Sequence, residues 1–480
     1  MKQTFIHQFS PMQSKTYVEH TFNVEEGVQQ IDFTLERYDP QVSQGQCYEN
    51  QVNFTIFDPQ GAFRGWRYAY QGLDFSIGAS GASYGCAPGT LLSGEWTILI
   101  NVFRILPPAT LDLTLTVATQ TTQSLPAQPA YETPAPAKKG AGWYTGDLHS
   151  HTFHSDGMWS VEHINAFARR LGLDFLHLSD HNTISGNTHH RSFSDNDCLS
   201  MAGIELTMPW GHAVVVGAEK WQDWGVRNTQ PYFRPIAERL HAAGHFVTIA
   251  HPKNVGEPSC GGCRWIFEDD IADLVSAVEV WNGIWALSDN NNPQGLALYY
   301  EWLNEGHRLS VTSGTDLHGL PLIQTDENGL PEVHWVKEVT DEHIASIQPG
   351  TRIGGAAFNV VWAEEFSEAG ILAGLKAGRV YISDGPRLDF TANSQDGERV
   401  MLGGTLPRSL PTTLNVQGEQ CSHGDVLRLI ADGEVLYSAP AAENGQYEVP
   451  LDAHQAHWCV VEVRNAQDDL RAVTSPIYFA

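Results

Sequence analysis

Between residues 147 and 318, residue types that ligate metal ions fall at the ends of successive apolar segments. In GDLHSHTFHSDG, His149 and His151 stand two apart. On an extended strand that spacing puts both imidazoles on one face, aimed at one ion. Asp156 follows within the next turn, FLHLSDHNT runs out at Asp180-His181, and MAGIEL ends on Glu205, a carboxylate able to bridge two cations. Then come His212 in PWGHAVVVG, His251 in TIAHPKN, and Asp316 with His318 in TSGTDLHG. Taken singly, each has an ordinary reading, because a lone His is usually a surface or satisfied core side chain and an Asp before a turn is usually a cap. Clustered, such groups would repel or cost desolvation unless cations neutralised them. The chemistry this set suits is hydrolysis. Two cations sharing a carboxylate hold a water or hydroxide between them, lower its pKa, and stabilise charge on a phosphoryl or carbonyl oxygen, so no protein nucleophile is needed.

Other side chains lie close to these ligands in sequence. Glu205 and Asp316 are expected in the catalytic centre; His154 is a candidate proton donor to the leaving group, with a solvent-facing role as its alternative. Lys253, two residues after His251, is a candidate partner for an anionic oxygen. Asn282, at the end of VEVWNG, and Arg264 with Trp265, after the CGGC loop, are candidates for substrate binding. The facing of His177 is open, His245 sits at a strand start, and His189, His190 and His307 read as bystanders.

The elements that must carry these residues alternate. WYTGDLH, LDFLHLSDH, MAGIEL, HAVVVGA, HFVTIAHP, AVEVWNG and RLSVTSGTDLH read as strands; VEHINAFARRLG, RPIAERLHAAG and LALYYEWLNEG read as helices with Gly near their ends. Such β/α alternation predicts an α/β domain with a parallel sheet closed as a barrel, the site on its carboxyl-terminal face. It spans residues 143–386. Before it, segments such as QIDFTLERY and WTILINVF predict an antiparallel β-sandwich over 1–120, joined by a Pro/Ala-rich linker at 121–142. After it, TTLNVQG, VLRLIADGEVLYS and WCVVEVRNA predict a small β-domain over 387–480. Covering the barrel or forming a homo-oligomer interface is the expected role of the flanking β-domains.

The ordered series HSHTFHSDG, SDHNT, GIEL, GHAVVVG, AHP, VEVWNG and SGTDLHG resembles the polymerase and histidinol phosphatase (PHP) superfamily over roughly residues 143–385. More narrowly, with FDPQGAFRGW and LLSGEWTILI preceding it, the chain resembles the carbaryl-hydrolase-like branch. The resemblance implies a distorted, TIM-like (β/α)7 barrel with two or three divalent ions, manganese, zinc or iron. It implies His149, His151, Glu205 and Asp316 at a first metal position, Glu205, His212 and His251 at a second, and Asp156, His181 and His318 at a third. Some relatives carry His where this chain has Asp156.

Composition narrows the partners. With 28 Lys and Arg against 56 Asp and Glu, the net charge of -28 repels nucleic acid and anionic lipid. No segment reaches the length of a membrane span, and MKQTFIHQFSPMQSK lacks a signal-peptide core, which reads as a cytoplasmic protein. Seven scattered cysteines do not read as a disulfide framework; Cys260-Gly-Gly-Cys263 is a lone CxxC that, without a second pair, does not read as a structural zinc site, with a redox or an extra metal role as the lesser alternative to no special role. The expected substrate is a small-molecule ester. Phosphoester hydrolysis ranks first, carboxylester or carbamate hydrolysis second, and metal binding without turnover third. Lys253 and Arg264 facing the metals would favour phosphate; enclosure by Trp210, Trp265, Trp281 and Trp285 would favour an apolar aryl ester.

Overall fold

The computed structural model describes residues 1–480 except 39–40, 44–46, 70–73, 135–139, 326–330, 453 and 455. Part of the linker expected at 121–142 therefore lies outside the described residues. Two four-stranded sheets build the amino-terminal sandwich. One has the order β1 (Lys2–Phe9), β10 (Leu111–Gln120), β3 (Gln30–Tyr38), β8 (Asp74–Gly78); the other has the order β2 (Thr16–Val24), β9 (Gly94–Arg104), β6 (Gln51–Phe57), β7 (Phe63–Tyr68). A short hairpin, β4 (Gln41–Ser43) and β5 (Cys47–Glu49), links them. Alternation explains the inner layer: Leu111, Leu113, Leu115 and Val117 face inward from β10 onto Trp96, Ile98 and Ile100 of β9. Leu99, on the opposite face of β9, is also fully buried, because with Phe57 and Trp66 it packs on Ile204, Leu206 and Val215 of the following domain. The sandwich thus covers that domain with one of its sheets.

Seven strands of the central domain lie in chain order: β11 (Gly142–Asp147), β12 (Phe175–Leu178), β13 (Leu199–Met208), β14 (Gly211–Val216), β15 (Phe246–Ala250), β16 (Ala277–Asn282) and β17 (Ser310–Gly314). Past the strand ends, His151 N donates to Leu317 O and Asp316 N to His149 O, both at 3.0 Å, so the sheet curls back on itself at this rim. Farther down, β18 (Leu320–Thr325) and β19 (Pro331–Val336) form a hairpin, and β20 (Phe358–Ala363) pairs antiparallel with β11. There the seam is held by a side chain: Asn359 accepts from Ser313 N at 3.0 Å and donates to Ser313 O at 2.7 Å.

The sheet is mixed, which corrects the parallel sheet expected from the sequence. β14 runs antiparallel to both neighbours because only Pro209 and Trp210 separate it from β13, a link too short for a crossover. Helices are correspondingly few. α1 (Val161–Leu171) follows β11, α2 (Asn187–Arg191) follows β12, α3 (Arg234–Ala242) follows β14 and α4 (Asn292–Asn304) follows β16, while the β15–β16 connection has neither helix nor strand. α1 starts where Ser160 Oγ accepts from His163 N and stops at Gly172, whose φ of 76° an L residue adopts at a cost. α5 (Asp341–Ser346) and α6 (Glu368–Lys376) come later, and β21 (Val380–Ser383) pairs with β20. Leu470–Thr474 then pairs with β21, so the sheet continues into the carboxyl-terminal strands. Facing it is a second sheet containing Arg387–Ser394, Thr412–Glu419 and Asn444–Leu451. Among the described residues no helix is long and apolar enough to cross a membrane.

Candidate metal centre

The rim where β11 and β17 meet gathers the ligand types. His149 and His151 lie on the extension of β11, His181 just past β12, His251 directly after β15, and Asp316 and His318 just past β17. Glu205 comes from within β13, whose later residues run out into the hairpin. His212 is the second residue of β14, and the reversed direction of that strand puts its beginning at the rim where parallel strands end. The turn after β11 brings Asp156 inward: Ser155 N and Gly157 N both donate to Thr152 O. His251 (φ 30°) and Asp316 (φ 52°) adopt the left-handed backbone region, conformations costly for L residues and frequent at functional sites.

These nine side chains form four overlapping groups of potential ligands: His151, Asp156, His181 and His318; His149, His151 and Glu205; His149, His251 and Asp316; His181, Glu205 and His212. Glu205 is fully buried. Its Oε2 lies 2.8 Å from His181 Nδ1, 3.3 Å from His149 Nε2 and 3.5 Å from His151 Nε2. Its Oε1 lies 3.2 Å from His212 Nδ1 and 3.3 Å from His251 Nε2. Asp316 Oδ1 approaches His151 Nε2 at 3.0 Å and His149 Nε2 at 3.3 Å, and Asp156 Oδ1 approaches His318 Nε2 at 3.2 Å and His181 Nε2 at 3.4 Å. The groupings implied by the resemblance differ from these: His251 clusters with His149 and Asp316, His212 with His181, and His151 also with Asp156, His181 and His318, although the imidazoles of His212 and His251 both reach Glu205.

The donor set fits divalent cations. Both Glu205 oxygens, His149 Nε2, His151 Nδ1 and both nitrogens of His212 are buried without a partner in hydrogen-bond geometry. Leaving one buried polar atom unsatisfied costs on the order of 1–3 kcal/mol, and a charged one more, so so dense a set calls for a bound cation. The imidazoles are also oriented as ligands. His149 bonds Glu279 Oε1 through Nδ1 at 3.0 Å, His251 bonds Cys263 O through Nδ1 at 3.0 Å, and His318 bonds Asp316 O through Nδ1 at 2.9 Å. Each such bond keeps the proton on Nδ1 and leaves Nε2 to face the centre.

Electrostatics follows from the crowding. Burial alone would raise the Glu205 carboxyl, but His149, His181 and His212 outweigh it and hold it well below the usual carboxylate range. Asp316 too is held well below the usual carboxylate range, because His149, His151 and His318 outweigh its burial. His318 is pushed up to about 10: burial lowers it, and the Asp156 and Asp316 carboxylates more than compensate. His151 falls to about 3 through burial and the neighbouring His318 and His181. A cation would replace the protons that these carboxylates borrow from imidazoles.

Glu279, Asp147 and Asp180 went unread in the sequence as supports. Glu279, inside β16, also accepts from His251 N at 2.7 Å through Oε2, and so ties two candidate ligands together. Asp147 accepts from His149 N at 3.2 Å and Thr315 N at 3.1 Å. Asp180 accepts from Thr152 N and Oγ1 and from Ser155 Oγ, which fixes the turn that aims Asp156. Burial pushes both of these aspartates up to about 6. A charged residue in or beside an otherwise apolar strand was the available signal.

The remaining candidates divide. Asn282 joins the site: its Nδ2 lies 3.3 Å from Asp316 Oδ2. His154 turns away from the ligands, buried, with Nδ1 2.8 Å from Ser185 Oγ and its ring against Tyr84 of the sandwich. Burial, His189 and Arg67 push it down to about 3. Lys253 is half-buried on the loop after β15, and Arg264 is exposed. Trp265 packs on Phe233 and Phe267. Trp210, Trp281 and Trp285 are buried in the core rather than arrayed around a cleft. His177 is fully buried, with Nδ1 on Leu148 O. Instead, Trp66 and Tyr68 of the sandwich stand 6.3 and 6.1 Å from the His181 ring. A cleft of about 310 Å³ opens beside Asp316, His318 and Asn282, walled by Leu287, Leu317, Pro321, Val333, Trp335 and Ile353, with no Lys or Arg among the described residues lining it. Cys260 and Cys263, at its edge, are joined as a disulfide, whereas Cys86, Cys421 and Cys459 are buried free thiols.

No family model matches the chain, and no curated protein matches it. Among solved structures it is similar to a two-domain protein from Bacteroides vulgatus containing a predicted PHP-like metal-dependent phosphoesterase, at 18% identity and a TM-score of 0.37, covering 73% of this chain and 100% of that one. It is similar also to a candidate metal-dependent phosphoesterase from Bifidobacterium adolescentis, at 19% identity and a TM-score of 0.24, covering 42% and 94%. An amidohydrolase from Chromobacterium violaceum, with bound sulfate and no metal, matches at 15% identity and a TM-score of 0.22, covering 43% and 98%. Likenesses this distant leave the chemistry to be read from the side chains.

Proposed function

We propose that this chain is a metal-dependent hydrolase of small-molecule esters, with a phosphomonoester or phosphodiester as its first-ranked substrate. The observation that carries the reading is the overlap of the ligand groups around Glu205. One buried carboxylate with imidazoles on both oxygens is the arrangement that lets two cations share a bridge. Bound there, divalent metals would supply Lewis acidity, polarising the substrate oxygen and acidifying water.

In the partition that the resemblance implies, His149, His151 and Asp316 would hold one cation, His212 and His251 a second, and Asp156, His181 and His318 a third, with Glu205 in reach of the first two; what supports pairing His212 with His251 is their shared approach to Glu205 Oε1 rather than the tighter ligand groups. Glu279 and the carbonyls of Cys263 and Asp316 keep the imidazole lone pairs aimed inward. Asn282 steadies Asp316 and presents its amide at the cleft. Three adjacent positions suit a phosphoryl group, whose several oxygens spread negative charge in the transition state.

A second reading, carboxylester or carbamate hydrolysis, is favoured by the cleft. Its apolar wall and its lack of Lys and Arg suit an uncharged, flat group. The test is to load the protein with manganese or zinc and compare an aryl phosphomonoester, a phosphodiester, a carboxylester and a naphthyl carbamate. Turnover of the carbonyl compounds alone would reverse the ranking. Glu205→Gln is expected to lower every metal-dependent activity by at least about a hundredfold; near-normal rates would refute the bridging role.

A further inference from the structure

We propose that the Cys260–Cys263 crosslink is a positioning element of the metal centre, holding His212 and His251 against Glu205 Oε1, so that its reduction weakens cation retention at that position. The inference rests on the metal-centre reading above. It concerns a motif that the hydrolytic chemistry does not use.

Two contacts place the crosslinked loop on these imidazoles, and a third places it on the sandwich. Cys263 O accepts the His251 Nδ1 proton at 3.0 Å, the bond that leaves His251 Nε2 3.3 Å from Glu205 Oε1. Gly262, at φ 74°, lies so close that an added Cβ would collide with Met208 O and reach 3.1 Å from His212 Nε2. Gly261 is pressed the other way, onto Gln51 and Phe103 of the sandwich. The loop is therefore a wedge between the amino-terminal domain and the two imidazoles on one oxygen of Glu205.

Its conformation needs a local constraint. Arg104 Nη1 donates to Pro258 O at 2.8 Å on one side, and Trp265 N to Pro252 O at 3.0 Å on the other. Between these anchors the segment has neither helix nor strand, and its two glycines carry the largest backbone entropy of any residue. Ring closure across Cys260 and Cys263 removes that freedom. Both cysteines are only half-buried and line the cleft, within reach of a soluble dithiol.

The exchange is balanced. A thiolate of the dithiol attacks one cysteine sulfur, the Cys260–Cys263 bond breaks, and a mixed disulfide forms. The second thiol of the reagent then displaces the remaining cysteine. Two electrons and two protons pass to the protein, which ends with two thiols while the reagent becomes a disulfide.

The test uses the full-length protein purified in air and loaded with zinc. One portion is reduced with dithiothreitol, alkylated with iodoacetamide and freed of reagents, the other is left oxidised, and both are then reloaded with zinc, because dithiothreitol itself binds the ion. Zinc release to a chromophoric chelator is followed in both, and thiols are counted after denaturation in the oxidised portion and in a sample of the reduced portion taken before alkylation. Two thiols should become titratable only on reduction, and the reduced, alkylated protein should release zinc about tenfold faster, the scale expected when a ligand loses an outer partner. The Cys260→Ser, Cys263→Ser double variant should release zinc as quickly and ignore dithiothreitol; if it fails to fold by circular dichroism, the wild-type comparison decides alone. Equal release rates in the two wild-type states, or free Cys260 and Cys263 thiols in the air-purified protein, would overturn the proposal. Failure of the oxidised protein to retain zinc would instead overturn the metal-centre reading, and this proposal with it.

Discussion

Glu279→Gln removes one charge and almost no volume, so its effect can be worked out atom by atom. Oε2 of Glu279 receives the His251 N–H at 2.7 Å and the Asn282 amide at 3.4 Å, while Oε1 receives the His149 Nδ1 proton at 3.0 Å. A glutamine in this place has one acceptor oxygen and one donor NH2. With the oxygen kept where two donors converge, the NH2 meets His149 Nδ1, which must then accept. The imidazole proton moves to Nε2, the atom 3.3 Å from both Glu205 Oε2 and Asp316 Oδ1, and occupies the direction a cation needs. With the amide flipped, its NH2 meets the His251 N–H and two donors oppose each other. Either arrangement forfeits a charge-assisted hydrogen bond, about 1.5–3 kcal/mol. That matches the roughly 10- to 100-fold loss of metal affinity expected when an outer partner of a ligand is changed. Zinc competition against a fluorescent chelator measures it directly, and a thermal melt of the metal-free variant checks that it folds. Zinc affinity within threefold of wild type would refute the assignment of Glu279 as the group that sets the His149 tautomer.

Metal removal should lower stability as well as activity, because a cation bound only by the folded chain adds about 2.7 kcal/mol at a hundredfold excess over Kd; an unchanged melting temperature after chelation would contradict the orphaned Glu205 oxygens as cation ligands. His190 is fully buried, and burial, outweighing the bond to Leu176 O, depresses it from 6.5 to about 4. Between those values the unfolded chain binds a proton that the folded chain refuses, so this contribution is complete above 6.5 and is lost as pH falls toward 4. The stability difference between wild type and His190→Gln should therefore shrink by about 1.4 kcal/mol on going from pH 7.5 to pH 5.5, measured by urea unfolding; a pH-independent difference would exclude it. Gly203→Ala would drive a methyl into His177 Nε2 and to 2.8 Å from Val215 O, and should cost about 1–3 kcal/mol in the same assay, with wild-type stability as the contrary result.

What the sequence reveals here is residue type and rim position, because metal ligands must sit where strands give way to loops, and spacing then places His149 beside His151 and Asp316 beside His318. What it hides is direction. HAVVVGA is an apolar run that reads alike whether its strand is parallel or antiparallel; only the two-residue link to β13 decides, and the reversal is what brings His212 to the rim. His154 and Asp156 are two apart, like His149 and His151, yet they diverge, since the hydrogen-bonded turn at Thr152 breaks the alternation that a strand would impose. Glu279 lies within a segment whose last residue, Asn282, drew attention by its place at the strand end, while the carboxylate three positions earlier passed for a strand residue. A lone charge in AVEVW was the clue, because a fully buried sheet interior tolerates a carboxylate only when donors await it on both oxygens, and His149 and His251 are those donors. The same limit bears on CGGC: spacing alone could not show that the loop carrying the pair lies against His251, through Cys263 O, and beside His212.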